Sequence, residues 1–271
     1  IIPLAGLGTR LLPLTSVFAK ELLPINGKPG LEYIIEECIE AGIKEIVFII
    51  SKKKLMIKKY FYNDKFYKDI IKKKNDPKII KEYKKILKYK KMIKFVFQDK
   101  PLGTGDAVYK TKKFITDKYF LMLLPDDLII KKNCSKSMIA VHNKFKASVM
   151  ASMKVNKNDV SRWGIYNIRK KIDKNNFIIN NVVEKPSIKT SPSNNAVIGR
   201  YILPKTIFSK LKSLKPGKSG EFHITDAIQA LIEDDNQFIG HNFSGKYLDC
   251  GTMKGYIKST LEISKQWNFA W

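Results

Sequence analysis

The apolar residues of the chain fall into short continuous runs that alternate with helical spacings. The runs at Ile1–Ala5 and Ile46–Ile50 have the length and composition of buried β-strands. Between them, apolar residues recur at the i, i+3, i+4 spacing of an amphipathic helix over residues 30–41, and Gly42 is a plausible helix end. A strand, a helix and a second strand make one βαβ unit, the building block of a parallel sheet.

The alternation continues to the end of the chain. A third central strand is predicted at Tyr119–Leu124. The other predicted strands are residues 95–98, 147–155, 163–168, 177–184 and 196–203, and the other predicted helices are residues 105–112, 134–146, a segment around 224–232 and 253–267. Residues 52–93 are rich in Lys and predict helices with a solvated basic face. The pattern favours an α/β fold with a Rossmann-like mixed, mainly parallel sheet flanked by helices. We expect one domain over residues 1–271.

The strong positive charge does not by itself indicate a nucleic-acid-binding protein. The formal charge is +26, but only four of the 51 basic residues are Arg. Nucleic-acid readers commonly use Arg for bidentate contacts, and they bind with a steep salt dependence. Lys, Ile, Asn, Phe and Tyr share A/T-rich codons, so we attribute much of the charge to codon drift. A basic nucleic-acid-binding protein is the less favoured alternative, and no specific nucleic-acid partner is expected.

Other features predict a cytoplasmic protein without a membrane partner. No apolar run approaches the roughly 18 residues of a membrane span. The cysteines, Cys38, Cys134 and Cys250, have neither metal-site nor disulfide spacing, which favours reduced thiols. The chain begins without Met inside the first predicted strand, so we expect residues to be missing before Ile1.

A glycine loop directly after the first strand is the first candidate for chemistry. Gly6 and Gly8 allow backbone N–H groups to approach phosphates, and Arg10 and Lys20 add positive charge. Leu11 breaks the dinucleotide pattern G-x-G-x-x-G, and G-K-[ST] is absent, so neither common nucleotide loop is present. A purely structural turn is the alternative for the glycines alone.

Two further candidates follow predicted strands. Asp126 and Asp127 come directly after the strand that ends at Leu124, where carboxylates suit Mg²⁺. The alternative is that one Asp caps a turn, which we expect of Asp127 more than of Asp126. Gly103 and Gly105, which follow Gln98, allow close approach of a base or ribose, or they simply begin a helix.

The string from Gly6 to Pro24, G-x-G-T-R followed by K-E-L-L-P, resembles the signature of sugar-phosphate nucleotidylyltransferases. Matching motifs run in family order to about residue 256. The resemblance implies transfer of a uridylyl group from UTP to glucose-1-phosphate, with release of pyrophosphate. The same chemistry with dTTP or another sugar-1-phosphate stays open, as does a non-catalytic relative. The chain departs from the family at Ala19, where Pro is usual, and at Asp106, where His is frequent.

The resemblance also implies residue roles, a cofactor and an assembly. Some of these residues have purely structural alternatives, since Glu184 and Lys185 alone would suggest a surface pair, and Asp249, in the metal site, a turn before glycine. The implied halves are nucleotide-binding over about residues 1–130 and sugar-phosphate-binding, rich in strands, over about 131–271. Mg²⁺ is the implied cofactor, and we expect a homo-oligomer, either a dimer or a tetramer. The implied sites are catalytic Arg10, Lys20 and Lys185; nucleotide-binding Ala5, Gly6, Gly8, Thr9, Gln98 and Gly103; sugar-phosphate-binding Gly164, Glu184, Lys185 and Gly199; and metal-binding Asp126 and Asp249.

Overall fold

Strands and helices alternate along the chain, as the hydrophobic pattern predicts. The computed structural model describes residues 1–217 and 220–265. Its strands are β1 Ile2–Pro3, β2 Pro24–Ile25, β3 Lys28–Pro29, β4 Ile46–Ile50, β5 Ile93–Phe97, β6 Tyr119–Leu123, β7 Asp127–Ile130, β8 Ser148–Lys154, β9 Gly164–Lys171, β10 Asn176–Glu184, β11 Asn195–Pro204, β12 Phe238–Asn242 and β13 Lys246–Asp249. Its α-helices are α1 Gly30–Glu40, α2 Leu55–Tyr62, α3 Asp64–Lys74, α4 Pro77–Met92, α5 Thr104–Tyr109, α6 Cys134–Phe145, α7 Ile207–Ser213, α8 Ile224–Glu233 and α9 Met253–Ser264.

One mixed sheet forms the centre of the fold. β1, β4 and β5 pair in parallel. The Ile1 nitrogen donates to the Leu121 carbonyl oxygen at 2.7 Å, and the Ile1 carbonyl oxygen accepts from the Leu123 N–H at 3.0 Å, which aligns β1 in parallel with β6. The sheet continues from β6 through β11, β8, β12 and β10 to β9. The mixed α/β sheet is therefore confirmed, with antiparallel pairs concentrated in the second half, where β8 and β12 form a parallel pair.

Helices cover both faces of this sheet, because successive strand residues point to opposite faces. In β4, Phe48 belongs to one buried cluster, together with α1 and α6 residues, while Ile49 belongs to the other, together with α5, α7 and α8 residues. The amphipathic helix predicted over residues 30–41 is confirmed as α1, and the residue after its last turn, Gly42, has φ of +85°.

The Lys-rich segment forms α2, α3 and α4, as predicted. Ile57 and Phe61 of α2 and Ile86 and Tyr89 of α4 are buried, whereas α3 has no buried residue. The lysines of these helices lie mainly on the outer face. No described helix is long and apolar enough to cross a membrane.

The weakest elements were missed by the hydrophobic pattern. α7, β7, β12 and β13 were not predicted, since each is short and the sequence of β12 contains Gly and His. The predicted strand over residues 1–5 pairs regularly only at Ile2 and Pro3 before the glycine loop begins. The helix predicted over 253–267 ends at Ser264, and residues 266 and 267 lie outside the described residues.

Candidate active site

A cleft of about 430 Å³ lies where β1, β5 and β6 end. Ligands of open α/β sheets bind at this carboxyl edge. The glycine-loop residues that line the cleft are Ala5, Gly6, Gly8 and Thr9. Lys20, Gln98, Gly103 and Asp126 complete the group of predicted residues around it. A cavity of about 570 Å³ at the amino ends of β4 and β6 contains none of the predicted site residues.

The two glycines of the glycine loop have different roles: the backbone conformation requires a glycine at position 8 but not at position 6. Gly8 has φ of +70°, and its carbonyl oxygen accepts from Thr15 Oγ1 at 2.8 Å and from the Leu11 N–H at 2.9 Å. A β-carbon at Gly6 would meet no atom within 4 Å of the described residues. Gly6 therefore leaves room for a ligand to approach the backbone, whereas Gly8 shapes the turn.

Asp126 is the centre of a charged cluster. Its Oδ2 lies 2.8 Å from Lys20 Nζ and 3.2 Å from Arg10 Nη2. Burial disfavours the charged forms of Lys20 and Asp126, but their mutual attraction outweighs it, so the pKa of Lys20 is raised and the pKa of Asp126 is lowered. Two cations thus lie beside the glycine loop, where they can donate to an anionic ligand as well as to Asp126.

Asp249 approaches the same cluster from β13. The antiparallel pair β7–β13 places Asp249 opposite Asp127, and the Cys250 N–H donates to the Asp126 carbonyl oxygen at 2.8 Å. The Asp249 carboxylate accepts from the Gly251 N–H at 2.8 Å and from Thr252 Oγ1 at 3.1 Å. These contacts hold both predicted metal-binding carboxylates at one end of the β7–β13 strand pair.

Gly251 forms a cradle between the two carboxylates. A β-carbon there would lie 2.8 Å from Asp126 Oδ2, 2.9 Å from Arg10 Nη2 and 3.2 Å from Asp249 Oδ1. The described residues contain no cluster of three or more His, Cys, Asp or Glu side chains that could hold a metal alone. Two carboxylates fit Mg²⁺ well, because proteins bind this ion through one or two carboxylates together with substrate phosphates and water.

Asp127 has a structural role, but it does not cap a turn. Its Oδ2 accepts from the Gly199 N–H at 2.8 Å, and its Oδ1 accepts from the Tyr247 hydroxyl at 2.7 Å. Burial, together with the charge of Asp126, raises the pKa of Asp127 to about 6. The side chain therefore ties β7 to β11 and β13 behind the cleft.

A buried ion pair supports the loop that carries Asp126. Arg200 Nη2 lies 2.8 Å from Glu37 Oε2, and the guanidinium also donates to the carbonyl oxygens of Leu124 at 3.1 Å and Asp127 at 2.6 Å. These carbonyls flank Pro125 and Asp126. No sequence signal pointed to this pair, since Glu37 and Arg200 are 163 positions apart.

A second buried ion pair lies beside Lys20. Both carboxylate oxygens of Glu21 lie 2.8 Å from Lys54 Nζ, and both residues are buried. Burial lowers the pKa of Lys54 even though Glu21 favours its charged form. The Ala19 N–H donates to Met56 Sδ at 3.1 Å, a contact that the Pro usual in the family could not make. Ala19 is thus buried, and its hydrogen bond to Met56 connects the glycine loop to α2.

Gln98 and Gly103 meet at the base of the cleft. Gln98 Nε2 donates to the Gly103 carbonyl oxygen at 3.0 Å and to Asp106 Oδ2 at 2.7 Å. Gly103 has φ of +92°, and a β-carbon there would lie 2.5 Å from the Phe222 carbonyl oxygen. Packing against Phe222 therefore accounts for the glycine at 103. Glu221 and His223 also line the cleft.

The predicted sugar-phosphate residues form a neighbouring group rather than part of the cleft lining. Gly164 pairs with Glu184 across β9 and β10, and a β-carbon at Gly164 would lie 3.1 Å from Glu184 Oε2. The Lys185 N–H donates to the Trp163 carbonyl oxygen at 2.9 Å, and the Glu184 and Lys185 side chains are 71% and 65% exposed. The Trp163 ring lies 5.5 Å from the Tyr247 ring, which connects this group to Asp127.

Gly199 lies on the other side of this group, where it packs against the loop before β7. A β-carbon there would lie 2.5 Å from Asp127 Oδ2 and 2.5 Å from Leu124 Cβ. Close backbone packing thus explains the glycine at 199. Its contact with a sugar stays a prediction.

The sequence and the fold are similar to those of known nucleotidyl transferases. A family model for nucleotidyl transferases matches residues 1–266. UTP–glucose-1-phosphate uridylyltransferase 2 of Staphylococcus saprophyticus is 36% identical over 265 residues, which cover 97% of this chain and 91% of the relative. The corresponding Bacillus subtilis enzyme is 36% identical over 267 residues, covering 98% and 90% of the two chains. A crystal structure of UDP-glucose pyrophosphorylase complexed with UDP-glucose superposes with a TM-score of 0.85 at 33% identity and covers 98% of each chain.

Proposed function

This chain belongs to the nucleotidyl transferase family, and we propose that it transfers a uridylyl group from UTP to glucose-1-phosphate, giving UDP-glucose and pyrophosphate. Relatives over nearly the full length carry that activity in their names. The observation that carries the proposal is the cluster in which Lys20 and Arg10 face Asp126 beside the glycine loop. Cationic side chains together with backbone N–H groups are the donors that bind the phosphates of a nucleotide.

The reaction requires alignment and charge neutralisation more than proton transfer. A phosphate oxygen of glucose-1-phosphate attacks the α-phosphorus of UTP and forms the new P–O bond, while the bond between the α-phosphorus and the β-phosphate oxygen breaks. The attacking phosphate is already anionic near neutral pH, since its second pKa is about 6. We assign Ala5, Gly6, Gly8 and Thr9 to holding the triphosphate, and Lys20 and Arg10 to stabilising the negative charge of the departing pyrophosphate.

Asp126 and Asp249 would hold Mg²⁺, a divalent ion that carboxylate oxygens suit. When bound, Mg²⁺ supplies positive charge to the phosphate oxygens. The two carboxylates are held in position by the chain itself. The Asp126 loop is fixed by Arg200, and Asp249 is fixed by Gly251 and Thr252.

Glu184 and Lys185 are proposed to hold the sugar phosphate. The carboxylate can accept hydrogen bonds from sugar hydroxyls, and the ammonium can donate to the phosphate. Lys185 has φ of +46°, and its N–H bond to Trp163 fixes the backbone at the end of β10. The exposed side chains are thus carried by a defined backbone next to Tyr247 and Asp127.

A nucleotide panel tests the proposal. Pyrophosphate release would be measured with glucose-1-phosphate and either UTP or dTTP, with Mg²⁺ and again with excess chelator. The expected result is turnover that depends on glucose-1-phosphate and metal and is faster with UTP. Equal or faster turnover with dTTP would contradict the uridylyl assignment, and turnover in chelator would contradict the metal assignment.

The assembly and the cellular location of the protein are also proposals. We expect a cytoplasmic homo-oligomer, a dimer or a tetramer. Light scattering coupled to size-exclusion chromatography would test the assembly, and a mass of one chain, 31.2 kDa, at working concentration would contradict it.

A further inference from the structure

The Gln98 side-chain amide is held in one orientation by two groups that act as hydrogen-bond acceptors. Its Nε2 donates to the Gly103 carbonyl oxygen at 3.0 Å and to Asp106 Oδ2 at 2.7 Å. A primary amide has two N–H hydrogens, so both are used. Turning the amide over would aim Oε1 at two other acceptors, which strongly disfavours that orientation.

The position of Asp106 adapts it to this role. It is the third residue of α5, and its Oδ1 lies 3.5 Å from Lys110 Nζ one helical turn further along. One carboxylate oxygen thus faces the ammonium while the other faces Gln98. The backbone of Gln98 is fixed as well, because its N–H donates to the Ile50 carbonyl oxygen at 2.9 Å, where β4 ends.

Gln98 Oε1 is the polar atom that this arrangement leaves for a ligand. Within residues 1–217 and 220–265, no side chain or backbone group donates to it, and Gln98 lines the cleft together with Gly6 and Lys20. An Oε1 atom in this position can accept hydrogen bonds but cannot donate one. The fixed amide therefore selects for a ligand that presents an N–H donor at the base of the cleft.

We propose that Asp106 determines which pyrimidine the cleft accepts, by fixing Gln98 so that Oε1 accepts from N3–H of uracil. Uracil and thymine carry this hydrogen, whereas N3 of cytosine carries a lone pair that would face Oε1. Sites built to pair with one polar group reject a base that leaves it unpaired. Asp106 is a positioning residue that acts through Gln98, and the inference rests on the proposed binding of UTP in the cleft.

The test is the binding preference of the Asp106→Asn variant. Asn can turn its own Nδ2 toward Gln98, so the variant removes one of the two acceptors that oppose a turned amide and leaves only the Gly103 carbonyl oxygen. Dissociation constants of UTP, CTP and dTTP would be measured by calorimetry on the whole chain with Mg²⁺ and without sugar phosphate. The preference for UTP over CTP should fall at least about 10-fold, the size of one lost polar discrimination. The ratio between UTP and dTTP should not change, since both bases carry N3–H.

Asp99→Asn is the matched control. It removes the same charge one residue from Gln98, but the Asp99 side chain is 48% exposed and pairs with Lys52 at 3.2 Å. Its preference for UTP over CTP should equal that of the unmodified chain. In a Gln98→Ala background, Asp106→Asn should cause no further loss of preference, because the two residues act as one unit.

An unchanged UTP preference in Asp106→Asn would overturn the inference, and so would an equal loss in Asp99→Asn. Binding is measured without turnover, so this test is separate from the test of the proposed function. A chain that released no pyrophosphate, yet lost its UTP preference only in Asp106→Asn, would contradict the proposed reaction and support the role of Asp106.

Discussion

At the residue scale, the site depends on close approaches that tolerate no extra atoms. Gly251 shows this most clearly, because a β-carbon there would lie 2.8 Å from Asp126 Oδ2 and 3.2 Å from Asp249 Oδ1. One methyl group would therefore push apart two carboxylates that are proposed to hold the same ion.

We predict that Gly251→Ala lowers kcat/KM for UTP by roughly 10²-fold, the cost of small displacements of catalytic groups. The concentration of Mg²⁺ needed for half-maximal activity should rise. Steady-state kinetics at several Mg²⁺ concentrations would measure both, with a thermal melt as the control for folding. A folded variant with unchanged metal dependence would contradict the proposed ligand pair.

Lys185 gives a second residue-scale prediction. Lys185→Ala removes a charged donor proposed to hold the sugar phosphate, so kcat/KM for glucose-1-phosphate should fall by roughly 10- to 10²-fold. Binding of UTP, measured without the sugar phosphate, should stay the same.

The matched control is Lys189→Ala, which removes an exposed lysine from the same loop after β10. It should have little effect on either measurement. Equal kinetics of Lys185→Ala and the unmodified chain would show that the Glu184–Lys185 pair is only a surface feature.

Residue identity was more predictable than residue environment. The motifs pointed to Lys20, Asp126 and Asp249 because their spacing follows the family signature. Arg200, which donates to the Asp127 carbonyl oxygen, and Lys54, which pairs with Glu21, cannot be recognised from the local sequence. Each lies far along the chain from the residue that it contacts, and only the fold brings the two together. Asp127 was expected to cap a turn, whereas its partners lie on β11 and β13.

At the element scale, helices and strands with a clear apolar pattern were predictable from the sequence, whereas short elements were not. α1 and β4 have clear apolar patterns, and the predicted bounds agree closely with the observed ones. β7 and β13 are each four residues long and pair with one another, so their pattern is set by tertiary contacts. Yet this strand pair carries Asp127 and Asp249, so an element that holds a proposed metal-binding residue is among those hardest to predict.

The basic face of α4 gives an element-scale prediction. Replacing Lys81, Lys84 and Lys88 with Gln should change kcat/KM for UTP by less than about 2-fold, because these exposed lysines do not line the cleft and distant surface charges are screened by salt. Gln has nearly the same helix propensity, so the free energy of unfolding should change by at most about 0.5 kcal/mol per site. Kinetics at low and physiological salt, with chemical denaturation, would measure both. A loss of activity only at low salt would instead assign the face a role in attracting nucleotide.

At the scale of the whole molecule, the net charge says little about the site, whereas the fold determines where the site lies. The net charge of +26 is spread over a largely Lys surface, while the charges at the site are few and paired. The α/β class followed from alternating strands and helices, but the antiparallel second half did not, since hydrophobic runs do not encode strand direction. The proposed chemistry lies where the parallel half ends, and the proposed sugar site lies on the antiparallel half.

Asp126 is proposed to join the two halves into one reacting site, because Lys20 and Arg10 pair with it and Asp249 lies beside it. The most direct test is the rate of pyrophosphate release from UTP and glucose-1-phosphate by Asp126→Asn, which keeps the shape of the side chain and removes its charge. The rate should fall by roughly 10²- to 10³-fold, because the site loses a carboxylate that is proposed to bind the metal, while the fold is retained. A folded Asp126→Asn chain that releases pyrophosphate as fast as the unmodified chain would contradict the account.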